Sequence, residues 1–186
     1  RGWVHFYDFA TLRQGSQEPV FSRQDGFNTM WDVAFHPYLD RFITCTASNE
    51  LTLSDFEGNV LAQYQVTTSA TQCNYSPSAD YIVYAGGETV QFFVADESDG
   101  VRLYPIERTL PQTSPHDAIF SPDGQYMFTA GGTGFTIWDT ATYSSLVTPY
   151  DSNTWSVNPF PNGNIIATGG NGFVALYDIT GEQLFT

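Results

Sequence analysis

The sequence predicts an all-β chain folded as a β-propeller of four-stranded antiparallel blades, with about four and a half blades present. Two observations predict it. A proline-containing turn recurs at Phe35-His36-Pro37, Tyr75-Ser76-Pro77, Phe120-Ser121-Pro122-Asp123-Gly124 and Phe160-Pro161-Asn162-Gly163, with its prolines 40, 45 and 39 residues apart. A second marker follows each turn at a steady distance: residues 51–55 (LTLSD), 90–94 (VQFFV), 135–139 (FTIWD) and 174–178 (VALYD). Repeats of this length, each holding several short strands, are the pattern of propeller blades.

Within each unit the elements follow in order. An innermost strand such as 31–35 (WDVAF) comes first, and the proline turn closes it. Asp123-Gly124 and Asn162-Gly163 suit a tight turn because they tolerate positive φ. A second strand follows at 42–46 (FITCT), 81–85 (YIVYA), 126–130 (YMFTA) and 165–168 (IIAT). Small residues end it, as Ala47-Ser48, Gly86-Gly87, Gly131-Gly132 and Gly169-Gly170, where a missing side chain lets neighbouring blades approach. The third strand is the second marker above, ending in an Asp-type turn. A more variable outer strand follows at 60–64, 101–104, 145–147 and 183–185. No segment keeps apolar residues at three-four spacing beyond two turns, so no helix is expected.

Residues 2–8 (GWVHFYD) match the third strand of a unit, and 19–22 (PVFS) supply a fourth. The repeat therefore divides one propeller segment, 1–186, into a half blade of outer strands at 1–27 and blades at 28–66, 67–109, 110–149 and 150–186. An incomplete ring leaves strand edges unpaired. Two readings follow: a stretch of a longer ring, or a ring completed by another chain or a second copy.

Hydrophobic residues at 41% with only 14% charged residues fit a folded globular protein and exclude a disordered chain. All six basic residues are arginine, and the net charge of −14 makes the surface field strongly negative. Such a field repels phosphate backbones and anionic membrane surfaces, so neither nucleic acid nor a membrane is an expected partner. A basic protein or a cationic ligand would be attracted. No apolar stretch reaches the roughly 20 residues of a membrane-spanning helix. Cys45 and Cys73 lie on successive units and read as two buried free thiols, since pairing needs Cα atoms within about 7 Å.

Phe120-Ser121-Pro122-Asp123-Gly124, 130–132 (AGG) and 136–139 (TIWD) together resemble one repeat of the WD40 family, within the wider WD40/YVTN-type propeller superfamily. Tyr7-Asp8 and Tyr177-Asp178 stand where that family's Trp-Asp pair would fall. The repeats are degenerate. The opening Gly-His pair is absent, with His116 a loose candidate for it, and Ser48, Gly87, Gly132 and Asn171 replace the aspartate of the second-to-third-strand turn. The buried His–Asp network of the family is therefore not expected. The resemblance implies a scaffold for protein–protein interaction and favours a soluble intracellular protein, with secretion left open.

In a propeller the innermost strands start at the face where partners dock. The alignment brings Asn28, Thr29, Met30, Trp31, Thr71, Gln72, His116, Asp117, Thr154 and Trp155 near that mouth, with Asn49, Glu50, Glu88, Thr133 and Asn171 in the adjoining turns. Aromatic anchors beside a polar rim suit a protein-binding surface. The bland alternative is that Trp31 and Trp155 wedge between blades. Asp96-Glu97-Ser98-Asp99-Gly100 resembles a calcium loop in outline but lacks the required spacing, and reads as a solvated turn. His5, His36 and His116 sit on different units, so no metal centre is expected.

No nucleophile elbow, phosphate loop or dinucleotide fingerprint is present, and no cofactor is implied. The expected function is a non-enzymatic interaction scaffold presenting an acidic face. Two other classes stay open at this point. One is a structural subunit whose terminal half-blades pair with another chain. The other is a propeller enzyme or sugar-binding module with a site in the central channel, for which a converging set of perturbed carboxylates would be the sign.

Overall fold

A computed structural model describes residues 2–25, 29–150 and 152–185. The expected edge between the half blade and the first full blade, at 27 and 28, lies outside them. Four antiparallel sheets of four strands follow one another along the chain. The first holds β3 (Met30–Phe35), β4 (Arg41–Thr46), β5 (Glu50–Asp55) and β6 (Val60–Gln65). The second holds β7 (Ala70–Tyr75), β8 (Ile82–Gly86), β9 (Thr89–Asp96) and β10 (Arg102–Pro111). The third holds β11 (Pro115–Phe120), β12 (Tyr126–Gly131), β13 (Gly134–Asp139) and β14 (Ser145–Tyr150). The fourth holds β15 (Thr154–Pro159), β16 (Ile165–Gly170), β17 (Phe173–Asp178) and β18 (Gln183–Phe185). Ahead of them β1 (Gly2–Phe6) pairs antiparallel with β2 (Phe21–Asp25) in a two-stranded sheet.

One element departs from expectation. A single-turn helix, α1 (Phe9–Arg13), connects β1 to β2. Asp8 caps it, its Oδ1 accepting the Ala10 N–H at 2.7 Å. Five residues are too few to print a helical period in the sequence, which is why the pattern missed it. At the other Asp positions the expected turn forms. Asp139 Oδ1 accepts from Thr142 N at 2.7 Å, Asp178 Oδ1 from Thr180 N at 2.9 Å, and Asp55 Oδ1 from Asn59 N at 2.7 Å. These bonds to the ionised form hold all three carboxyls below the usual range.

The core lies between blades. Ile43, Cys45, Leu51 and Leu53 of the first blade pack on Cys73, Ile82, Tyr84 and Phe93 of the second. Val83, Ala85 and Phe92 on the second blade's other face pack on Ala118, Phe120, Met127 and Trp138 of the third. Phe128, Phe135 and Ile137 then meet Val157, Ile166 and Tyr177 of the fourth. Successive side chains of a strand point to opposite faces, and here both faces are covered. That is why β8 is buried along its whole length rather than at alternate positions. Cys45 and Cys73 meet in the first of these layers as buried free thiols, and burial pushes the Cys73 thiol up.

Glycine ends β12 for a steric reason. A Cβ on Gly131 would stand 2.6 Å from the Thr113 carbonyl oxygen, where the link from the second blade crosses into β11. The innermost strands β3, β7, β11 and β15 consequently run side by side around a common axis.

Candidate interaction face

Each innermost strand carries the same irregularity. The pairing register shifts between Met30 and Asp32, between Ala70 and Gln72, between Pro115 and Asp117, and between Thr154 and Ser156. One residue per blade is left without a partner opposite: Trp31, Thr71, His116 and Trp155. A bulge re-aims its extra side chain. Here it brings those four residues to the end of the blades that also holds the turns between second and third strands.

Thr71, His116 and Trp155 make contacts from blade to blade. Thr71 Oγ1 donates to the Pro115 carbonyl at 2.7 Å. The His116 and Trp155 rings stack with centroids 4.1 Å apart and planes 17° from parallel. Trp155 Nε1 donates to Asn171 Oδ1 at 2.9 Å, which ties the ring to the neighbouring turn. Trp31 and Trp155 nevertheless keep 53% and 51% of their surface exposed, so neither is buried as a wedge. Met30 is partly buried beside Trp31.

The rim is polar. Glu88 and Asn171 are exposed, while Asn49 and Glu50 are half-buried. Glu50 Oε1 accepts from Thr52 Oγ1 at 2.9 Å and from Gln63 Nε2 at 3.0 Å. Asn49 holds the β4–β5 turn at φ 63°, a left-handed conformation that asparagine tolerates better than most residues. A polar groove of about 320 Å³ opens between the second and third blades, bordered by Glu88, Gln112, Thr133 and Thr148. Asn28 lies outside the described residues.

The residue after each of the first three bulges does something different: it reaches sideways to the next blade. Asp32 Oδ2 accepts the Cys73 N–H at 3.2 Å, Gln72 Oε1 accepts the Ala118 N–H at 2.7 Å, and Asp117 Oδ2 accepts the Val157 N–H at 2.9 Å. The first, second and third full blades thus each supply an acceptor to the innermost strand of the next. Asp117 also takes the Ser156 hydroxyl at 3.2 Å, and its Oδ1 is buried without a partner. Desolvation pushes the Asp117 carboxyl up to about 6, with the Asp32 charge acting in the same direction. Asp32 is raised as well, mainly by burial. Of the residues expected at the mouth, Asp117 and Gln72 therefore face the adjoining blade and set the platform under the bulged ones.

The third full blade carries a buried polar chain. Trp138 Nε1 donates to Thr129 Oγ1 at 2.8 Å, and Thr129 Oγ1 donates to Gln112 Oε1 at 2.9 Å. Gln112 occupies the end of this chain, and Gly132 stands in the turn nearby. The sequence offered Trp138 as a repeat marker but gave no sign that Gln112 would complete its network, because the link lies across 26 residues of chain and two strands. The four successive bulges were equally invisible, since a bulge is a property of pairing.

Three further groups have local roles. In the 96–100 turn, Asp96 Oδ1 accepts the Ser98 N–H at 2.9 Å, and Glu97 forms an ion pair with Arg41 of the previous blade. His36 Nδ1 accepts the Leu39 N–H at 3.0 Å and its ring packs edge-on against Tyr75. His5 bonds Ser22 across β1 and β2. Among the described residues no group of three or more His, Cys, Asp or Glu is placed to hold a metal ion. No helix among them is long and apolar enough to cross a membrane.

No protein-family model matches the sequence, and no curated protein does. Solved structures do match. The β-propeller domain of Myceliophteria thermophila Cps50 (Swd1) superposes with a TM-score of 0.76 at 11% sequence identity, over 95% of this chain. The chain has the β-propeller fold. It spans 58% of the length of that domain's chain. At this identity the likeness is one of architecture, which is the level at which the resemblance of 120–139 to a WD40 repeat also holds.

Proposed function

We propose that this propeller is a non-enzymatic scaffold for protein–protein interaction, and that its mouth face receives a basic segment of a partner protein. The observation that supports the reading most strongly is the bulge repeated in all four innermost strands, which delivers Trp31, His116 and Trp155 to one face. Trp155, half-exposed yet held by a stack and a hydrogen bond, loses little freedom on binding. Met30, Asn49, Glu50, Glu88 and Asn171 form the rim around them, and Gln72 and Asp117 fix the strands beneath. The net charge of −14 sets the sign of the partner. The likeness to the Swd1 domain supports the propeller fold on which this reading rests.

The test is an NMR titration with a synthetic Lys/Arg-rich decapeptide and a matched Asp/Glu-rich one. The basic peptide shifts the Trp155 indole N–H and the backbone amides of Glu88 and Asn171, while the acidic peptide does not. Trp155→Ala and Glu88→Gln each weaken the basic peptide by about fivefold or more. Shifts scattered over the whole surface, or none at all, refute the assignment of the mouth.

A further inference from the structure

The seams between successive full blades repeat one arrangement. Ala85, opposite Gln72 on the second blade, packs in one layer with Ala118 of the third. Ala130, opposite Asp117 on the third blade, packs in the next layer with Val157 of the fourth. The equivalent pair in the first seam is Cys45, opposite Asp32, and Cys73. Cysteine thus stands on both sides of one seam, where the other two bring together only alanine and valine.

Asp32 fixes how the two cysteines approach. Cys45 is its partner across the β3–β4 pairing. From the second blade, the Cys73 N–H donates to Asp32 Oδ2 at 3.2 Å, and Cys73 Sγ lies 4.0 Å from the Asp32 carbonyl oxygen. The two thiols are left in hydrogen-bond contact with each other, both free, and 0% and 1% exposed. The Tyr84 hydroxyl beside them donates elsewhere, to the Thr68 carbonyl at 2.6 Å. Among the described residues no third metal-ligating side chain joins the pair into a metal site.

We propose that Cys45 and Cys73 form a redox modification site, and that oxidation by a peroxide joins them in a disulfide that staples the first and second full blades beneath the mouth. A lone cysteine in a core acts as a small apolar residue, and alanine fills both equivalent positions of the second seam. Two thiols in contact do more, because the second is in place to react as soon as the first is oxidised. Burial keeps the Cys73 thiol protonated, so the packed seam protects the pair and the reaction follows local opening. The bond closes residues 45–73 into a loop, which restrains the unfolded chain. This seam is separate from the exposed aromatic residues of the mouth, and its failure leaves the mouth proposal untouched.

The chemistry balances with hydrogen peroxide as the oxidant. One thiol loses its proton, and the thiolate sulfur attacks a peroxide oxygen. The O–O bond breaks, a sulfenic acid forms, and the departing hydroxide takes up the thiol proton as water. The neighbouring thiol, giving up its own proton, then attacks the sulfenic sulfur. The S–S bond forms, the S–O bond breaks, and a second water leaves. The two sulfurs supply the two electrons that reduce the peroxide, and both thiol protons end in water.

The test treats the whole reduced chain with hydrogen peroxide, then denatures it, alkylates it with N-ethylmaleimide and measures its intact mass. The expected product takes up no maleimide, is two hydrogens lighter, runs as one chain on a non-reducing gel and yields a peptide joining Cys45 to Cys73. Dithiothreitol restores both thiols. The thermal midpoint of the oxidised chain rises by about 5 °C or more, and peroxide gives no such rise in Cys45→Ala, whose fold is verified by circular dichroism. Three results overturn the proposal on the natural chain alone. They are thiols that stay free under an exposure that fully oxidises glutathione, sulfinic acids or bonds between chains in place of the linked peptide, and a linked chain that melts no higher than the reduced one. An equal rise in Cys45→Ala overturns it as well.

Discussion

The Asp117 carboxylate, on the innermost strand of the third full blade, accepts the Val157 backbone N–H of the fourth at 2.9 Å. One carboxylate oxygen is thereby used to bind two blades, while the other is buried without a partner. An acid in that position is a compromise between a strong acceptor and a costly charge.

The compromise makes stability depend on pH. The folded-state value of about 6 stands above the ordinary 3.8, because burial penalises the charged form. The neutral carboxyl therefore stabilises the fold. That contribution is fully present below about pH 4 and is lost as pH rises through about 6. Asp117→Asn keeps an acceptor without a charge. It is expected to stabilise the protein at pH 7 by on the order of 2 kcal/mol and to have little effect at pH 4. Urea titrations of both proteins at the two pH values measure this, and an equal effect at both would show that ionisation is not the cause.

Trp138 and Phe120 are each 6% exposed within the layer between the second and third blades. Trp138→Ala and Phe120→Ala are expected to cost about 3–5 kcal/mol each. Trp138→Phe keeps most of the apolar surface but strips the Thr129 hydroxyl of its indole donor, and should cost about 1 kcal/mol. Wild-type midpoints for the two alanine variants in a denaturant titration would break the alignment of the repeats.

Arg108 joins the same two blades by another route. The irregular pairing between Pro105 and Thr109 lets its guanidinium turn inward from β10. It rests over the Tyr143 ring at 4.1 Å, with Tyr81 at 5.2 Å and Phe92 at 5.7 Å. Arg108→Ala should destabilise by about 1–2 kcal/mol, and Arg108→Lys by less, since an ammonium keeps the charge but loses the flat stack. Equal losses for the two variants would argue that the flat stack alone matters and the charge does not.

The charge of the whole chain bears on partners. At physiological salt no measurable binding to duplex DNA is expected, because too few cations are available to neutralise phosphates. A low-micromolar, salt-sensitive complex in a fluorescence anisotropy titration would refute this.

Much of the architecture is written along the chain because a propeller blade is a local object. The turns at Pro37, Pro77, Pro122 and Pro161 and the markers ending at Asp55, Asp139 and Asp178 each depend on residues close in sequence, and strand alternation does the rest. Alignment alone also puts Trp31, His116 and Trp155 at equivalent positions of their innermost strands, and each is the bulged residue there. Their shared bulge and the Trp138–Thr129–Gln112 chain were decided only when strands of a blade paired, and the acceptor series from Asp32, Gln72 and Asp117 only when blades met. These are relations between separate strands, 9 to 46 residues apart, and no single stretch of sequence carries them. Local chemistry therefore determined the blade, and packing between blades determined which side chains are held, which are charged and which are left facing outward.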